Sequence, residues 1–464
     1  MACALKTYAL KLTKDKSGST GGSRTAPTPT AESVKSRAES TRVLNLRELL
    51  FLVLSLAFWV SMMTVAGCAE RQLTAPTPQM DAAEPFWIRV LLAENLTNCT
   101  LKVPSSFSVT NTHTQTAQAH FDQVDVPINV TISAGRITIA GRAFRGNEVI
   151  ILPHDPYIFN VNGDDYRGKL KLTVNPDGDS FEVVNVVPLE PYLAGVVGAE
   201  MPDYWQPAAL AAQAVAARTY CLYIKRRFGS KRRWDVRQTA ANQVYLGCIA
   251  ESAKIWEAVN RTYGRVLVCK HPNGSEDIFP AYYCSTCGGH TENSKHVFGD
   301  SFQPLRGVRC PYCKDVAKLS SFFWPMAEFD KAKVSTALLQ RYPKLKQLAP
   351  GGRGEITSIT GAKKSDYGRF SRLTLIKLLG STGKSDFVRA EDLRLTIDPT
   401  GRKLRSTICR IVNMGDKWAF LLGRGWGHGV GMCQCGAEGM ARKGKTAKQI
   451  LFHYYPGSKI KSIY

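Results

Sequence analysis

The stretch from Val187 to Phe228 constrains this chain more than any other. An apolar run, Tyr192 to Ala199, leads into one acid, Glu200, followed by Met201-Pro202 and a segment of helical periodicity opened by Pro207. Proline suits the first helical position, where its missing N–H leaves no intrahelical bond unmade. Leu210, Ala214, Ala217, Cys221 and Ile224 follow at 4-3-4-3 spacing, which predicts a buried stripe. Gln213 and Tyr220 share another face of the same helix. An acid set among Val, Ala and Met loses hydration when it ionises, the condition of a general acid working near neutral pH. The alternative is a helix-entry carboxylate stabilised by the macrodipole.

Upstream, residues 1–47 are polar and basic and read as a disordered leader. Residues 48–68 read as a signal segment. Leu49 to Cys68 carries no charge, follows Arg42 and Arg47, and ends in Val65-Ala66-Gly67-Cys68, which resembles a bacterial lipobox with Cys68 as the lipidated residue. An uncleaved signal anchor is the alternative. Both place the rest of the chain outside the cytoplasm, in agreement with the positive flank. Residues 69–85 read as a flexible tether.

The balance of 61 Lys and Arg against 38 Asp and Glu gives a formal charge of +23. Such a balance suits an anionic partner: nucleic acid, membrane or wall polymer. A solvated basic surface explains it equally. The tract Lys225 to Arg233 poses the same choice locally.

From Phe86 to about residue 186 the pattern is one of short β-rich runs, among them FWIRVLLAE, SFSVTNT, EVIILPH, KLKLTVN and FEVVNVVP, separated by Gly, Pro, Asn and Asp. A helix over Ala253–Tyr263 and a strand over Gly264–Cys269 follow. Later come a helical piece, Met326 to Tyr342, and strands in EITSITGA, RLTLIKLLG and FVRAEDLRLTI. The fold class is therefore α+β. A β-rich core carrying the Glu200 helix spans 86–319, a second, smaller α/β lobe spans 320–400, and 401–464 returns to the core.

Cys284-x-x-Cys287 and Cys310-x-x-Cys313 read as two knuckles of a tetrahedral structural zinc site inserted in the core. Disulfides are the rival in an exported protein, and redox chemistry is a third option. Cys221 reads as core packing. Cys433 and Cys435 share a face if their segment is extended, and no metal is assigned to them. Glycines at 423, 425, 427, 429 and 431 suit a tight loop. No strand–helix Lys/Ser context makes it a phosphate loop. His428 within it is either a loop-stabilising hydrogen bonder or a ligand contact.

Several of these segments resemble the SpoIID/LytB family. The Glu200-Met201-Pro202 segment resembles the family's catalytic motif. Gln243, Val244, Tyr245 and Gly247 match its QVY-G element. Ser285, Thr286, Gly288, Gly289, His290, Thr291 and Glu292 match its HSTSGGHTE segment, in which Cys284 and Cys287 stand for the usual histidine and serine. Val297-Phe298-Gly299 matches the downstream element. Trp426, Gly427, His428, Gly429, Gly431, Gln434, Gly436 and Ala437 match the glycine-rich hallmark, and Ile450 to Gly457 the family ending. The resemblance covers Phe86 to Tyr464.

It implies a lytic transglycosylase that cleaves the MurNAc–GlcNAc bond of peptidoglycan to a 1,6-anhydro product, with Glu200 as single acid/base. Gln213, Arg218, Tyr220, Gln243, Tyr245, His428 and Gln434 are then candidates to hold sugar or developing charge. Related amidase enhancers, which bind cell wall and stimulate a peptidoglycan hydrolase such as an amidase without cutting glycan, are the alternative. Either reading places the protein in the cell envelope, exported and membrane-attached, as a lipoprotein through Cys68 where the lipobox reading holds. A nucleic-acid-binding zinc ribbon is a weaker reading, opposed by export and by the lack of aromatic–basic interleaving around the knuckles; no nucleic-acid partner is expected.

Overall fold

The computed structural model describes residues 86–111, 117–271, 273–348 and 356–464. The leader, the Cys68 segment and the tether lie outside the described residues.

The β-rich runs form two sheets. Seven strands lie in the order Val236–Arg237, Trp87–Leu96, Phe181–Pro188, Lys169–Val174, Glu148–Pro153, Phe107–Asn111 and Ala117–Phe121. Val236–Arg237 runs parallel to its neighbour, while the other pairs are antiparallel. Six strands form the second sheet, in the order Asp164–Arg167, Ile158–Val161, Asn98–Val103, Val124–Ser133, Arg136–Ile139 and Arg142–Ala143. Alternation along the strands sends every second side chain inward. Ile88, Val90, Leu101, Val103, Val149, Ile151, Leu170 and Leu172 are all fully buried in one hydrophobic core shared by the two sheets.

Phe181–Pro188 feeds straight into helix α1 (Leu189–Glu200), and helix α2 (Pro207–Phe228) starts at the proline that predicts it. Leu210, Ala214, Ala217, Cys221 and Ile224 are buried as their spacing requires. Most of the remaining helix surface is buried as well, which the alanines permit by letting neighbours approach closely. Its basic end, Lys225 to Arg227, lies at the negative pole of the helix dipole. Part of that tract is committed internally. Lys225 and Arg89 both pair with the buried Asp235, at 3.0 and 2.7 Å, and Arg226 pairs with Asp277.

A second hydrophobic cluster runs from Trp324 to Phe420 and includes Leu404 and Trp418. Strand Lys417–Leu421 pairs with both Ala327–Asp330 and Arg410–Met414. These pairings carry the smaller lobe past residue 400, so the return to the main core begins near Gly423 rather than at 401. Two further expectations change. The helix read over Met326–Tyr342 starts at Lys331, after the Ala327–Asp330 strand, where the Asp330 side chain caps Lys333 N–H at 2.9 Å. FVRAEDLRLTI is a strand only to Arg389. Ala390–Ile397 is helical, with Glu391 and Asp392 in its first turn, where the dipole favours acids. Helix α3 (Gln434–Arg442) then packs on α2 in the main core. Among the described residues, no helix is long and apolar enough to cross a membrane.

Candidate active site

Glu200 is the last residue of α1, so it leaves a helix rather than entering one. At that end the free carbonyls make the negative pole, and a carboxylate gains no stabilisation from it. The helix-entry reading therefore falls. The carboxylate is half-buried and held by two donors. Val244 N–H donates to Oε1 at 2.9 Å, and Gln434 Nε2 donates to Oε2 at 3.2 Å. The apolar surroundings expected from the flanking residues are replaced by this polar clamp. Val196, Val197 and Ala199 point into the core, and the acid at the helix end points out of it.

Glu200 opens into a cleft of about 470 Å³ between the main core and the smaller lobe, shared with Tyr220, Asn242, Tyr283, His428 and Gln434. A slightly larger hollow of about 520 Å³ near Met326, Arg402 and Lys417 contains none of these groups. Chemistry rather than size therefore places the site.

The Gln243-Val244-Tyr245 segment has a physical explanation. Gln243 is fully buried. Its amide donates to Ala217 O at 3.2 Å and to Tyr283 Oη at 2.9 Å, and it accepts from the Tyr192 hydroxyl at 3.0 Å. Tyr245 is buried on the other side, where its hydroxyl donates to Asn185 Oδ1 at 2.8 Å and its ring packs on Tyr192 and Tyr166. Anchored by both neighbours, Val244 aims its N–H at Glu200. Gln243 and Tyr245 thus position the cleft without lining it.

Two other expected ligand contacts lie in the interior. Gln213 is fully buried. Arg218 is fully buried too, with its guanidinium forked onto Glu190 at 2.8 and 2.5 Å and donating to Arg265 O at 3.1 Å. Burial on α2 removes both from direct contact with a ligand. The glycines of α1 have a packing role as well. A Cβ at Gly198 would sit 1.8 Å from Ala250 O, and one at Gly195 would sit 2.5 Å from the Tyr245 ring. They bring α1 against residues 245–250, so their missing side chains serve helix packing.

Tyr220, His428 and Gln434 do line the cleft. His428 Nε2 meets the Tyr283 carbonyl at 2.9 Å, while Nδ1 accepts Val430 N–H at 3.0 Å. A carbonyl only accepts and an amide N–H only donates, so the ring is the neutral Nε2–H tautomer. Burial pushes its pKa down to about 4, against which the Glu391 charge pulls upward. With both nitrogens engaged, His428 braces the glycine loop where it lines the cleft. The loop passes close to the cysteine-bearing segment. At Gly431, φ is +71° and a Cβ would lie 1.8 Å from Tyr282 O, so glycine is required there.

Three contributors were not singled out from the sequence. Tyr283 contributes its hydroxyl near Glu200; burial, reinforced by the Glu200 charge, holds its pKa well above the ordinary value, so it stays neutral. Tyr282 stacks on the exposed ring of Phe298 with centroids 4.2 Å apart, which forms an aromatic wall. From the smaller lobe comes a buried pair in which Arg394 Nε and Nη2 grip Glu391 at 2.9 and 2.6 Å. Burial pushes the Glu391 carboxyl up, but the Arg394 charge outweighs it and holds the pKa below its ordinary value. Tyr282 and Tyr283 stood next to the first knuckle, which was their only signal. The ion pair had the i,i+3 spacing of a helix but fell in a segment read as strand.

The cysteines assemble differently from the sequence pattern. Cys287, Cys310, Cys313 and Cys433 bring their sulfurs within 4.8 Å of one another, all buried. Cys284 is not among the four and lines the cleft instead. Its strand, Tyr283–Cys284, runs parallel to Met432–Cys433, and that ladder delivers Cys433 to the knuckles. His290 also stands apart, stacked on Tyr367 with centroids 3.8 Å apart.

A family model described as SpoIID, Stage II sporulation protein, matches residues 177–269, the segment that holds Glu200, α2 and the Gln243–Tyr245 anchor. An uncharacterized protein of Brachyspira hyodysenteriae is 33% identical over 307 residues, covering 65% of this chain and 74% of that protein. The amidase enhancer of Bacillus subtilis is 28% identical over 366 residues, 72% of this chain but only 50% of the enhancer's length. Stage II sporulation protein D of Bacillus subtilis is 29% identical over 293 residues, 60% of this chain and 75% of that protein. The chain belongs to the SpoIID/LytB family.

Proposed function

We propose that the protein is a lytic transglycosylase of peptidoglycan with Glu200 as its single acid/base. One observation carries this reading. Two carboxylates reach the cleft, and Glu391 is gripped by Arg394, whereas Glu200 has no cation partner among the described residues. A hydrolytic glycosidase generally needs two working carboxylates, and intramolecular attack needs one.

The clamp on Glu200 suits a group that must cycle a proton. Val244 N–H can only donate, so it reserves Oε1 as an acceptor. The Gln434 amide can turn either its nitrogen or its oxygen towards Oε2, and so serves both protonation states there. Protonated at Oε2, Glu200 gives its proton to the oxygen joining MurNAc C1 to GlcNAc as that C1–O bond breaks. The carboxylate then takes the proton of the MurNAc C6 hydroxyl as O6 bonds to C1, closing the 1,6-anhydro ring. Water is not consumed. The Tyr282–Phe298 wall offers an apolar face to a sugar ring. This reading requires export, which the Leu49–Cys68 segment would supply, with Cys68 lipidated on the envelope side.

A second reading, a wall-binding enhancer of an amidase, is favoured by the similarity to the Bacillus subtilis amidase enhancer. Mass spectrometry of purified peptidoglycan after incubation with the protein separates the two. Products with 1,6-anhydro ends support the transglycosylase. Unchanged glycan together with faster cleavage by an added amidase supports the enhancer.

A further inference from the structure

We infer that Cys287, Cys310, Cys313 and Cys433 form a four-thiolate site for one zinc ion, and that the ion locks the turn from which Gln434 projects. The donor geometry fits. A tetrahedron with Zn–S bonds of about 2.3 Å has edges of roughly 3.8 Å. Cys287 Sγ and Cys313 Sγ lie 3.8 Å apart, and all four sulfurs fall within 4.8 Å of one another. No disulfide joins any of them.

A second, independent observation is the set of donors aimed at the sulfurs. Cys433 Sγ accepts Cys287 N–H at 3.2 Å and Gly436 N–H at 3.4 Å, and Cys287 Sγ accepts Gly289 N–H at 3.4 Å. The Tyr454 hydroxyl lies 3.1 Å from Cys310 Sγ. Donors of this kind orient metal-bound thiolates and disperse their charge. All-sulfur tetrahedral sites take zinc or iron. Zinc has no redox chemistry and suits a site sealed from solvent on every ligand.

The lock follows from connectivity. Cys433 ends the strand paired with Tyr283–Cys284 and caps α3 through its sulfur, and Gln434 is the next residue. A metal bound through Cys433 therefore ties three distant segments together at the start of α3.

The test is elemental analysis of the purified wild type, Cys284→Ser and Cys433→Ser proteins, with cobalt(II) replacing the native ion for absorption spectra. The wild type and Cys284→Ser should each hold about one zinc and give the intense charge-transfer bands of four thiolates. Cys433→Ser should lose the metal or show a three-thiolate spectrum. Should Cys433→Ser fail to fold, the Cys284→Ser spectrum decides alone. Removing the ion from wild type with a chelator should also speed amide hydrogen exchange across Met432–Arg442. Iron in the site, loss of zinc in Cys284→Ser, two disulfides among the four cysteines, or exchange indifferent to chelation would each overturn the inference.

Discussion

Glu200 and Gln434, 234 residues apart in the chain, meet at 3.2 Å through Oε2 and Nε2. The contact joins the C-terminal end of α1 to the first residue of α3. It brings together two segments far apart in the chain at the atom to which the mechanism assigns the proton.

Removing that partner should affect chemistry more than folding. Hydrogen bonds to charged groups contribute about 1.5–3 kcal/mol, which corresponds to a loss of roughly ten- to a hundredfold if the bond acts in the transition state. Gln434→Ala should show such a fall in anhydro-product release with its metal content unchanged. Full activity in the variant would show that Oε2 needs no partner.

Arg218 provides a test of whether a polar residue on α2 serves the ligand or the fold. It is fully buried on Glu190, whose carboxylate is also contacted by the Tyr464 hydroxyl. Breaking a buried pair leaves an uncompensated charge and typically costs about 3–5 kcal/mol. Arg218→Leu should therefore lower the urea midpoint sharply. A variant of normal stability with weakened glycan binding would return Arg218 to the cleft.

His428 makes stability depend on pH in a definite direction. The unfolded imidazole takes a proton near its ordinary value of 6.5, the folded one only near 4. Between these values the unfolded chain binds more protons, so this contribution is unaffected above pH 6.5 and destabilises progressively as pH falls towards 4. At pH 5 the deficit is about 2 kcal/mol, from 1.36 kcal/mol per unit. Urea titrations at pH 7 and pH 5 should show a larger drop for wild type than for His428→Gln. Equal drops would mean that the ring protonates freely in the folded protein.

The elements that position Glu200 were legible because their signals are local. Pro207 marked a helix start, the 4-3-4-3 stripe marked its buried face, and alternation marked the strands. What escaped the sequence depended on distant partners. Val244 acts through its backbone, which no side chain advertises. Gln213 and Arg218 look like site residues on a helical wheel, but α2 is enclosed on nearly all sides. Cys433 joins the knuckles only through parallel pairing with the Cys284 strand, whereas motif spacing pointed to Cys284 itself. The smaller lobe extended beyond its expected end because its last two strands pair with one another and with a segment that resembled the beginning of a helix.

The most direct measurement compares wild type with Glu200→Gln on purified peptidoglycan, scoring 1,6-anhydro ends by mass spectrometry. Glutamine preserves size and can still meet Val244 N–H through its oxygen, but it cannot cycle a proton. Loss of general acid–base catalysis typically costs about a hundredfold to ten-thousandfold. The account predicts a folded variant that still binds glycan and releases anhydro product only at background. Wild-type release by Glu200→Gln would contradict it.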